Sequence, residues 1–141
     1  MEWQGKPGSG AFQWNRGGWF GGQFGATAWM LVLGVLLLAQ SRPVGAWVLL
    51  FGALPNALGF VLWSRRHSWA PFPALQTLIA TCGLCAAAAW ASVSQSDASV
   101  VTEGDFSAWV LLLYPGLLVW FFGMEHAARR ANRRRDSTSA P

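Results

Sequence analysis

The sequence predicts an all-α integral membrane protein, a four-helix bundle embedded in lipid. Three observations lead there. Hydrophobic residues make up 53% of the 141-residue chain and charged residues only 11%, where soluble domains carry about 25% charged. Mean hydropathy is positive, at +0.32. Uncharged windows span residues 17–41, 43–64, 68–96 and 106–124. A helix needs roughly 20 residues to cross a hydrocarbon core about 30 Å thick, and each window reaches or approaches that length.

A soluble core is excluded because these windows leave too little polar sequence to cover an exterior. In lipid every backbone N–H and C=O must be paired internally, so a span is a helix or part of a closed barrel. Runs such as Met30-Leu31-Val32-Leu33 and Val35-Leu36-Leu37-Leu38-Ala39 lack the alternation of barrel strands. Helices are therefore predicted at roughly 24–40, 44–64, 73–92 and 106–124. A Gly/Trp-rich interfacial segment (1–23) precedes them and a basic tail (125–141) follows.

The first helix is expected to stay in the protein rather than be cleaved as a signal. A break after Ala39 would place Leu37 where a small residue is required. Ahead of it, glycine-rich sequence holding Trp3, Phe12, Trp14, Trp19, Phe20 and Phe24 disfavours helix and favours the bilayer interface. An irregular surface segment is expected over 1–23. With only Lys6 and Arg16 to meet phosphates, nucleic acid is not an expected partner.

Loop charge sets the expected orientation. Arg65, Arg66 and His67 lie between helices 2 and 3, and Arg129, Arg130, Arg133, Arg134 and Arg135 follow helix 4. The helix 3–4 loop carries Asp97, Glu103 and Asp105. Basic segments stay cytoplasmic, so both termini are expected inside a plasma or inner membrane. Trp47, Trp90 and Trp109 then anchor the outer ends, and Trp63, Trp69 and Trp120 the inner ends. The arginines also suit anionic lipid headgroups or an acidic partner.

Association of helices in lipid relies on small residues and interhelical hydrogen bonds. Gly45, Gly52 and Gly59 recur at seven-residue intervals in helix 2, with Asn56 on the same face. Helix 3 has Gln76, Ala80, Gly83 and Ala87; helix 1 has Thr27, Gly34 and Ser41; helix 4 has Gly116 and Gly123. These are read as packing residues. Pro55 and Pro115 fall midway along the predicted helices 2 and 4, where each favours a kink. Ala46-Trp47-Val48-Leu49-Leu50 recurs as Ala108-Trp109-Val110-Leu111-Leu112, which raises and does not establish a duplicated hairpin.

No Asp, Glu, Lys, Arg or His lies within a predicted span, and such residues usually mark proton or ion pathways. Cys82 and Cys85 form a CxxC midway along helix 3, a spacing compatible with dithiol or soft-metal chemistry. An apolar midplane suppresses the thiolate, so they are read as packing residues. No catalytic residue, cofactor or metal is expected. The leading expectation is a non-catalytic accessory or interaction protein, with a membrane-protein partner or a second copy of itself. Two readings compete: a small transporter or channel with a path near Asn56 and Gln76, and a membrane thiol oxidoreductase using Cys82 and Cys85.

Overall fold

The structure is a computed structural model that describes residues 10–96 and 108–138. The protein is all-α. Its elements are α1 (Arg16–Gln40), α2 (Arg42–Ser64), α3 (Pro71–Ser94), a 3-10 turn (Ala108–Leu112) and α4 (Leu113–Thr138). All four α-helices are long and apolar enough to cross a membrane. The acidic residues Asp97, Glu103 and Asp105, the first part of the N-terminal segment (1–9) and the end of the tail (139–141) lie outside the described residues.

Only Ser41 separates α1 from α2. The Ser41 N–H still bonds Leu37 O at 2.8 Å, and its own carbonyl accepts the Gly45 N–H at 2.9 Å. Pro43 suits the second position of α2 because a first-turn N–H has no helical partner. So abrupt a reversal brings Gly45 against the backbone of α1, where an added Cβ would stand 2.8 Å from the Leu37 carbonyl carbon. Ser41 is thus the connector itself and not a member of a packing stripe.

The α1–α2 pair then runs antiparallel along a close seam. Gly34 meets Leu49, Gly52 meets Leu31 and Met30, and Gly59 meets Gln23. The buried residues of α2 are Gly45, Val48, Gly52, Pro55, Gly59 and Leu62. Their alternating three- and four-residue spacing is that of a left-handed helix pair. Next, α3 lies between α2 and α4 and buries Ala74, Leu78, Cys82, Cys85, Ala86 and Ala89. On its far side Gly83 receives Tyr114, and the Gln76 amide donates to Leu118 O at 3.4 Å.

Several sequence expectations are corrected. Residues 16–23 are helical, not irregular. Asn15 caps α1 by accepting the Gly18 N–H at 3.2 Å, and Trp19 and Gln23 are buried in the bundle. Lipid leaves backbone groups no partner but one another, which overrides glycine's weak helix propensity. α4 itself continues into the basic tail as far as Thr138. Pro115 lies in the first turn of α4, just past the 3-10 turn, and not mid-helix. Gly116 and Gly123 face open space. The repeated five residues are α-helical at 46–50 and 3-10 at 108–112, so the duplication does not extend to structure.

Candidate functional site

Polar side chains in the bundle gather between α1 and α2, in the half nearer the termini. Asn56 Nδ2 donates to Thr27 Oγ1 at 2.9 Å and to Gly52 O at 2.8 Å. Gln23 Nε2 donates to Asn56 Oδ1 and to Pro55 O, both at 3.0 Å. Thr27 in turn donates to Gln23 O at 3.1 Å. The Gln23 Oε1 is buried without a hydrogen-bond partner and occupies the place a Cβ on Gly59 would take. One turn below, Trp19 Nε1 donates to Gly59 O at 3.3 Å. Gln23 is hidden in the sequence by the glycine-rich stretch around it, whose composition disfavours helix. Its spacing to Thr27, Met30, Gly34 and Leu37 is the signal that places it on the packing face.

Asn56 and Gln76 are not brought together. Asn56 is engaged between α1 and α2, and Gln76 reaches α4 on the other side of α3. Cys82 and Cys85 are free thiols, both buried. Among the described residues no group of three His, Cys, Asp or Glu side chains is placed to hold a metal ion.

At the terminal end, residues 10–15 cross the mouth of the bundle. Phe12 stacks on Phe72 at 5.8 Å and meets Phe121 edge-on at 5.3 Å. Trp14 packs on Trp19 and Trp63, and its Nε1 donates to Trp69 O at 3.2 Å. The Arg66 guanidinium lies 5.0 Å above the Trp63 ring. Trp63 therefore belongs to a packed aromatic cluster as well as to one end of the bundle. Glu125, only 4% exposed, clasps this segment to α4. One of its oxygens accepts the Ala11 N–H at 2.8 Å and the other accepts Arg129 Nε at 2.8 Å.

Between α1, α3 and α4 lies a cavity of about 390 Å³. Gly18, Gly22 and Ala26 form its α1 wall, and Leu78 and Ile79 belong to its α3 wall. Tyr114, the chain's single tyrosine, spans its deep end by donating to Ala26 O at 3.1 Å. Cys82 lines that end as well.

The helices and this arrangement define a four-span helical membrane protein. No family model, no curated protein and no solved structure matches the chain.

Proposed function

We propose that the protein is a non-catalytic membrane accessory protein that works through lipid-exposed helix faces and the basic end of α4, with both termini in the cytoplasm. The observation that carries this reading is the form of α4. One side leans on α3, while Val119, Trp120 and Phe122 are 74%, 67% and 61% exposed. The same continuous helix then carries Arg129, Arg130, Arg133, Arg134 and Arg135 beyond the apolar span. A rigid rod with an apolar face and a cationic end suits a neighbouring membrane helix followed by an acidic surface or anionic headgroups. The terminal end gathers Arg65, Arg66 and the α4 arginines on one side, which supports a cytoplasmic assignment by the positive-inside rule.

The competing readings have less support. Both amide groups of the supposed path spend hydrogen bonds on helix contacts, and both cysteines are free thiols buried in the bundle, where apolar surroundings disfavour the reactive thiolate.

Photo-crosslinking side chains at Val119 and Phe122 test the proposal in native membranes, alongside reporters fused at each end. The expected outcome is one protein adduct of defined mass, weakened when the five arginines are replaced by Gln, and unchanged in a Cys82→Ala, Cys85→Ala double variant. Both reporters should register the cytoplasm. Adducts with lipid alone, or reporters on opposite sides, would sink the reading.

A further inference from the structure

The glycines of α1 do opposite things on its two sides. Towards α2 the seam is closed, with Gly34 of α1 against Leu49 and Gly59 of α2 against Gln23. Towards α4 the small residues Gly18, Gly22 and Ala26 line a cavity and admit no neighbouring helix. A Cβ built on Gly22 would meet nothing within 4 Å. Apolar walls facing emptiness forfeit dispersion contacts, and a volume of about 390 Å³ falls in the range of ligand pockets, about 300–1,000 Å³.

We propose that this cavity holds one hydrocarbon chain of an anionic phospholipid, drawn from the leaflet on the side of the two termini and entering through the seam between α1 and α4. Depth selects the occupant. Along α1 the lining runs from Asn15 to Ala26, about 16 Å at about 1.5 Å per residue, which is half of a hydrocarbon core about 30 Å thick. Such a slot matches one leaflet and would strand a molecule that spans both. The deep end is closed by the Tyr114–Ala26 hydrogen bond. The walls near it are Leu78, Ile79 and Leu117, whereas Gln13 and Asn15 line the shallow end. Charge selects the headgroup. The arginine run begins two turns of α4 beyond Phe121 at the cavity's shallow end; Arg129 is paired with Glu125, and Arg130, Arg133, Arg134 and Arg135 follow it. Bases close to the membrane surface attract anionic headgroups. The cavity itself is independent of the protein partner proposed above, whereas the headgroup preference draws on the same α4 arginines.

Native mass spectrometry of the full chain, released from bilayers made of equal parts phosphatidylglycerol and phosphatidylcholine with identical acyl chains, tests it. The wild type should retain one phosphatidylglycerol. Gly22→Leu fills the slot and should lower that occupancy at least tenfold. Gly21→Leu should retain the lipid, because Gly21 also faces open space but does not line the cavity. Replacing the five arginines with Gln should erase the preference for phosphatidylglycerol while leaving one lipid bound. Ala26→Leu repeats the filling test from the deep end, and circular dichroism verifies that each variant is folded. The proposal is overturned if folded Gly22→Leu and Ala26→Leu retain lipid like the wild type. It is equally overturned if Gly21→Leu loses lipid as fully as Gly22→Leu, or if the wild type shows no preference between the two headgroups.

Discussion

Gln23 of α1 and Asn56 of α2 are joined side chain to side chain, Nε2 to Oδ1, at 3.0 Å, and each also binds a main-chain carbonyl of α2. The pair sits where the two helices are held close by glycine, and it fixes their relative register. Sliding either helix by one turn would break the Gln23–Asn56, Gln23–Pro55 and Asn56–Thr27 bonds and leave Asn56 only its bond to Gly52 O within α2.

Removing this pair should therefore be felt, though modestly. Interhelical hydrogen bonds in membranes average about 0.6 kcal/mol and reach about 1.7 kcal/mol. Asn56→Ala breaks the links to both Gln23 and Thr27 and should lower stability by about 1–2 kcal/mol. Gln23→Ala should cost less, because it also deletes the unpartnered Oε1. Equilibrium unfolding in mixed micelles orders the two variants; the reverse order would show that the Oε1 is not a liability.

Glycine substitutions should divide by side. Gly45→Ala drives a methyl group into the backbone of Leu37 and Leu38, and overpacking of this kind costs about 1–3 kcal/mol. A main-chain obstacle cannot turn aside as a side chain can, so this variant should fall at the upper end. Gly116→Ala and Gly123→Ala meet nothing and should stabilise α4 by up to about 1 kcal/mol through helix propensity. Thermal transitions in detergent read both effects, and a destabilised Gly123→Ala would reveal a neighbour at that face.

Glu125 tethers the N-terminal crossing segment to α4. Glu125→Ala removes the acceptor for the Ala11 N–H and the partner of Arg129. Amide hydrogen exchange at residues 11–15 should accelerate at least tenfold, while the middle of α2 keeps its protection. Glu125→Gln retains an oxygen for Ala11 and should show a smaller effect. Unchanged exchange in both variants would mean that the Phe12 and Trp14 contacts hold the segment alone.

Pro115 should prove replaceable. It lies in the first turn of α4, where a proline's fixed φ is compatible with the start of an α-helix. Pro115→Ala should change stability by no more than about 0.5 kcal/mol and leave the helical signal in circular dichroism intact. A large loss of signal would mean that the proline's fixed φ is needed to turn the 3-10 segment into α4.

Much of the architecture is legible in the sequence because one solvent imposes one rule. Charge-free windows of spanning length must be helices, and Gly52, Asn56 and Gly59 mark one face by spacing alone. Other features are hidden for physical reasons. Gln23 and Trp19 sit among glycines whose low propensity argues against a helix, yet burial and lipid hold them in one. Glu125 follows the fourth apolar window among arginines, and only the N-terminal segment packed on α4 makes it a buried clasp. Gly116 and Gly123 repeat the spacing of a packing stripe without packing, because spacing does not specify which side of α4 meets α3.

By itself the amino-acid order determined that this chain is helical, crosses a membrane and carries its arginines at the ends of apolar spans, since hydrophobic length and charge act residue by residue along the chain. The tertiary structure decided which glycines close a seam and which open a cavity. That choice depends on how neighbouring helices are rotated about their axes, a quantity set jointly by all the side chains that meet and written in no single stretch of the sequence.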